Sequence, residues 1–153
     1  MKKGIAAAVA LAIGLSFAGA GFAAGSADDM ISARQAEMKA NMAAMKVMVS
    51  ILKGETAYHA AAVKAAAKSM ADAQSEGEAK GVWDATTQTD ATIKSGAKPE
   101  VWSDAAGFSE AWKNLGVAVA TLGATQDEAS FKAAFPAVGA ACKNCHEKFR
   151  AAE

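Results

Sequence analysis

Only two cysteines, two prolines and two histidines occur in 153 residues, and 16 basic side chains are matched by 16 acidic ones. Each scarcity excludes something. Cys142 and Cys145 alone cannot build a disulfide framework. A structural zinc wants four ligands, and outside residues 142–146 the only further cysteine or histidine is His59, so zinc is the weaker reading. With Pro99 and Pro136 the only prolines and alanine dominating, helix is the default. Removing Lys2 and Lys3 leaves 14 basic against 16 acidic residues, a formal charge of −2. That balance offers no basic field to nucleic acid or anionic lipid.

The one long apolar run, residues 5–17, is dominated by alanine and glycine and is weakly hydrophobic for a membrane span. Lys2-Lys3 precede it, and small residues such as Ala18-Gly19-Ala20 and Ala23-Ala24-Gly25 follow. This is the pattern of a secretory signal peptide, expected over residues 1–24, with an uncleaved anchor as the alternative. The mature chain, residues 25–153, is long enough for one domain with one core and no membrane segment.

Against this background Cys142-Lys143-Asn144-Cys145-His146 is the attachment signature of a c-type haem. On a helix, positions i, i+3 and i+4 share a face, so both thiols and the imidazole point the same way. Two thioether bonds to one haem and one axial ligand, His146, are then available together. A thioredoxin-like pair would want a strand before the first cysteine, whereas these flanks are alanine-rich and helical. A simple disulfide would strain the helix and leave His146 without a role. Export agrees with haem, because bacterial c-type attachment takes place outside the cytoplasm, which makes the expected location the periplasm.

Apolar positions repeat at 3-4 spacing in four segments. The first runs through Ile31, Met38, Met42, Met45, Val49 and Leu52, with Gln35 in a polar slot. His59, Val63, Ala66, Met70 and Ala73 form the second, and Val101, Ala105, Phe108, Trp112, Leu115, Val119 and Leu122 the third. Phe131, Phe135, Val138, Cys142, Cys145 and Phe149 form the fourth. Four such seams predict an all-α, antiparallel up-down-up-down four-helix bundle with covalently bound haem. Gly54 is expected to close the first helix and Glu55-Thr56 to open the second. Gly77 and Gly81 are expected to end the second, Pro99 to start the third and Gly123 to end it. Thr125-Gln126-Asp127-Glu128 reads as the capping box of the fourth. Pro136 predicts a local kink, and Trp83, in the long loop from about residue 76 to 98, either covers a haem edge or packs over the ends of helices two and three.

In such a bundle the start of the first helix lies beside the end of the last, so a second axial ligand would come from the first turns. Met38 meets the condition best. Met42 and Met45 lie about 6 Å and 10 Å farther along, at about 1.5 Å per residue, and Met30 about 12 Å the other way. Met48 falls off the stripe. Core filling is the competing reading for all of them.

The stretch Ala141-Cys142-Lys143-Asn144-Cys145-His146-Glu147-Lys148-Phe149-Arg150 resembles the haem-binding end of the class II cytochromes c, the cytochrome c′ family. Pro99-Glu100-Val101-Trp102-Ser103-Asp104 with Phe108 resembles the start of its third helix, and Lys53-Gly54-Glu55 with Tyr58 its first turn. The resemblance implies a basic residue, Arg34, near a haem propionate, with Arg150 a weaker candidate of that kind. It also implies homodimers paired through the first two helices. Gln35-Ala36-Glu37-Met38-Lys39 is most similar to the low-spin, methionine-ligated members.

Ligation by His146 and Met38 implies a low-spin, one-electron carrier that exchanges electrons with periplasmic redox partner proteins. If Met38 only packs beside the iron, the site becomes a five-coordinate receptor for nitric oxide or carbon monoxide. An enzymatic role is not expected, since no titratable pair flanks the distal pocket and Glu37 is expected to face water. Lys39, Lys46 and Lys53 lie along one side of the first helix as a solvated face or a docking stripe.

Overall fold

The computed structural model describes residues 25–152; the expected signal peptide lies outside them. Five helices follow in order: α1 Ala27–Leu52, α2 Ala60–Ala79, the single turn α3 Glu100–Ser103, α4 Ala105–Gly123 and α5 Glu128–Phe149. α3 and α4 together make the third member of a four-helix bundle. Among the described residues no helix is long and apolar enough to cross a membrane.

Helix ends follow the backbone's need for partners. Ser26 caps α1 reciprocally with Asp29, whose side chain accepts from the Ser26 N–H while Ser26 Oγ accepts from the Asp29 N–H. Gly54, at φ +74°, turns the chain after α1. Glu55 and Thr56 do not open α2, contrary to the sequence reading: their N–H groups go back to the Ser50 carbonyl, and α2 begins only at Ala60. Gly77 does not end α2 either, because the helix runs on to Ala79 and Gly81, at φ +60°, makes the turn. The capping box of α5 is Asp127 with Ser130, two residues later than expected. Pro136 is carried inside α5.

The third seam is interrupted at Asp104, whose backbone leaves helical geometry and whose carboxylate then caps α4 at Gly107. Pro99 sits immediately before α3, where its missing N–H costs nothing.

One apolar cluster fills half of the bundle. It takes Ala44, Met48 and Ile51 from α1, Val63 and Met70 from α2, Leu115, Val119 and Leu122 from α4, and Phe131, Phe135 and Val138 from α5. The buried stripe of α1 differs from the one read in sequence: Met48 is fully buried while Met42 is 73% exposed. The reason is that the true stripe passes through Arg34, Glu37 and Asn41, polar residues that a hydrophobicity pattern assigns to water.

α1 packs along α2, α2 along α4, and α4 along α5, and α1 and α5 both contribute side chains to the one apolar cluster. The cluster takes its α1 residues from the later turns of that helix, whereas the buried polar groups Arg34, Glu37 and Asn41 precede them. Cys142, Cys145 and His146 lie on the last turns of α5.

Candidate functional site

Cys142, Cys145 and His146 all lie on the unbroken final turns of α5, half-buried, with both thiols free. Cys142 packs against the edge of the apolar cluster. Burial raises both thiol pKa values, and for Cys145 the neighbouring Cys142 adds to the effect. Burial first, then the charge of Arg150, pushes His146 below the ordinary imidazole value. A neutral imidazole is the form that binds a metal.

Arg34 comes from the opposite wall. It is only 4% exposed, and its Nε, Nη1 and Nη2 have no hydrogen-bond partner. Its guanidinium carbon lies 4.8 Å from the ring centre of Trp83 and 5.9 Å from that of Trp102. Trp102 Nε1 donates to the Trp83 carbonyl at 2.8 Å, which ties the long loop to α3. Trp83 packs edge-on against Phe108 at 4.8 Å, and Phe108 against Phe149 at 5.2 Å, three residues beyond His146. An aromatic bridge therefore connects Arg34 on α1 with the haem-motif end of α5. Trp83 packs on Phe108 and Trp112 of the third helix, and the same ring also touches Arg34.

The donor set fits a haem. Arg34 and the indole N–H of Trp83 are buried donors without acceptors, in contact with each other. Orphaned buried donors are costly, and an anionic acceptor such as a propionate carboxylate would satisfy them. Paired free thiols and a neutral imidazole on one helix face meet the remaining requirements.

Met38, one turn beyond Arg34, is half-buried and lies outside the apolar cluster. Arg150 is exposed, and its backbone pairs with Ala97 in an isolated antiparallel bridge. Lys39, Lys46 and Lys53 are exposed.

Glu37 corrects the sequence reading outright. Instead of facing water it is 5% exposed, with neither carboxylate oxygen bonded. Burial, and to a lesser degree the charge of Glu78, push its pKa up to about 7. It borders a groove of about 510 Å³ between α1 and α2, walled by alanines of both helices and by the charged side chains of Lys68, Asp72, Glu76 and Lys80. The signal that could have revealed it is Gly77, a glycine inside a good helix, which marks a close approach by another group.

Comparisons with known proteins identify the family and the fold. The family model described as Cytochrome C′ matches residues 29–150. A cytochrome c′ of Rhodopseudomonas palustris is 35% identical over 144 residues, covering 94% of this chain and 95% of its own. The crystal structure of cytochrome c′ from Thermochromatium tepidum superposes with a TM-score of 0.75 at 32% identity, over 85% of this chain and all (100%) of that one. The nitric oxide complex of a mutant cytochrome c prime from Alcaligenes xylosoxidans gives a TM-score of 0.73 at 27% identity, over 84% and 98%.

Proposed function

This chain belongs to the cytochrome c′ family, and from that premise we propose that it is a periplasmic haem protein that takes up nitric oxide or carbon monoxide on the Met38 side of a five-coordinate haem. As in the rest of the family, the cofactor is covalently attached haem c. Cytochrome c′ is itself a standard example of the four-helix bundle, so fold and family count as one observation.

In this reading Cys142 and Cys145 provide the two thioether links, His146 the protein ligand to iron, and Arg34 the cation beside a propionate. When bound, the haem supplies a redox-active iron able to accept a diatomic ligand. The chain's own residues set access to it. The apolar cluster excludes water from one side, and the aromatic bridge of Trp83, Phe108 and Phe149 holds α1 and α5 around the site.

The observation that carries the proposal is the setting of Met38: half-buried, outside the core cluster, one turn beyond Arg34 on α1. A thioether locked in a core makes a fixed ligand. A flexible, half-buried one outside the core can step aside for a small molecule. The similarity to a protein solved as a nitric oxide complex supports the same reading.

A second reading, favoured by the presence of a thioether where a ligand would be needed, is the one-electron carrier with Met38 as second axial ligand and periplasmic redox partners. Pairing with a second copy through α1 and α2 rests on the resemblance and is read from the oligomeric state. The purified holoprotein decides between the functions. A high-spin ferric spectrum and carbon monoxide uptake by the reduced protein are expected, with faster uptake by Met38→Ala. A low-spin spectrum with a sulfur-to-iron charge-transfer band and no uptake would replace the gas-binding reading with the electron carrier.

A further inference from the structure

The loop between the 3-10 turn Ala85–Gln88 and α3 makes bonds to both helices that frame the site. At its near end the Asp28 carboxylate, at the start of α1, accepts from the Thr92 N–H at 2.7 Å, the Ile93 N–H at 3.0 Å and the Thr92 hydroxyl. Gln35 Nε2 donates to the Lys94 carbonyl at 3.1 Å. At its far end the Ala151 N–H donates to the Gly96 carbonyl at 2.8 Å and the Lys98 N–H to the Phe149 carbonyl at 2.9 Å. Lys98 Nζ reaches the Glu147 carbonyl at 2.9 Å, and Ala97 bridges to Arg150.

We infer that residues 92–98 form a strap that sets the separation of α1 and α5 at the haem end, with Asp28 and Thr92 as positioning residues for Met38. The inference rests on the gas-binding reading of that site. Only two residue steps separate the carbonyl held by Gln35 from the one held by Ala151. A chain spans at most about 3.3–3.6 Å per residue, so these anchor points are within about 7 Å of each other. Gln35 is one turn before Met38, and Ala151 is five residues past His146.

The strap matters here because it joins the first turns of α1 to the end of α5 through hydrogen bonds. α1 is otherwise held along α2, and the contacts running from Arg34 through Trp83 and Phe108 to Phe149 are another link toward α5. The Asp28 carboxylate can only accept, and three donors converge on it, so the clasp is charge-assisted. Releasing it lets the first turns of α1 move away from α5 and carries Met38 off the haem face.

The test uses the holoprotein and three variants. Thr92→Val removes the hydroxyl donor, Thr92→Ser restores it, and Thr56→Val removes a comparable hydroxyl bond, to Ser50, at the opposite end of the bundle. Carbon monoxide association with the reduced protein should accelerate at least about threefold in Thr92→Val, and remain at the wild-type rate in Thr92→Ser and Thr56→Val. Amide exchange over residues 30–38 should accelerate in the same variant, while α4 stays protected. Accelerated exchange at residues 92 and 93 with an unchanged association rate would overturn the strap. Should the wild type be low-spin and closed to carbon monoxide, the gas-binding proposal fails instead. The strap is then judged by whether Thr92→Val turns part of the iron high-spin, and an unchanged spectrum overturns it.

Discussion

Gly77 on α2 faces the Glu37 carboxylate on α1 so closely that a β-carbon at position 77 would stand 2.5 Å from Oε2. The glycine is the space into which a buried acid fits. Because the acid accepts no hydrogen bond, its cost is set by the protonation state, and the α1–α2 contact inherits a dependence on pH.

Gly77→Ala therefore has two opposed effects. Alanine gains about 1 kcal/mol of helix propensity over glycine, while crowding a packed site costs about 1–3 kcal/mol. The net expected result is destabilisation by about 1 kcal/mol in urea unfolding. In a Glu37→Ala background the crowding disappears and the same change should stabilise. Equal effects in both backgrounds would show that the two residues are not coupled.

Glu37 itself titrates near 7 in the folded protein, raised from 4.5. A raised carboxyl pKa means the folded state holds the proton more tightly, so its stabilising contribution is complete below about pH 4.5 and is lost as pH rises through about 7. Glu37→Gln removes that loss. The variant should match wild type near pH 4 and exceed it at pH 8 by about 2 kcal/mol, after allowing for solvent screening. Parallel stability curves across that range would contradict the assignment.

Arg34→Leu removes a positive charge beside the proposed propionate. A cation near the haem favours the reduced, less positive iron centre, so the variant should have a reduction potential lower by tens of millivolts in potentiometric titration. Trp83, no longer covered by the guanidinium, should become more accessible to an aqueous fluorescence quencher. No shift in potential would place Arg34 away from the cofactor.

Replacing Cys142 and Cys145 together by alanine should yield protein whose pigment, where any is retained, passes into acidified organic solvent. The wild type should keep its pigment under the same treatment. Unfolding of the double variant should occur at lower temperature, because a haem that is lost no longer buries its apolar surface within the folded chain.

The helices, their approximate ends and the haem motif are legible in the sequence because each depends on local chemistry. Periodic apolar residues along residues 101–122 and 131–149 need only a common interior to become seams, and Cys142, Cys145 and His146 need only a helix to share a face. The departures are local too. Glu55 and Thr56 have the chemistry of a helix start, but α1's last carbonyls claim their N–H groups first. The α1 stripe escapes a hydrophobicity pattern because hydrophobicity reports a side chain's preference for water. It does not report the cofactor or glycine that can make burial tolerable for Arg34 and Glu37.

By itself, then, the sequence determined a helical bundle, a pair of cysteines and a histidine on one face at the end of its last helix and a methionine near the start of its first. Only the tertiary structure decided which side chains surround them. Arg34 against Trp83, Glu37 against Gly77 and Asp28 against Thr92 each join residues far apart in the chain. Such pairings arise from how helices and loops stack after they form. No local pattern of polarity encodes that stacking.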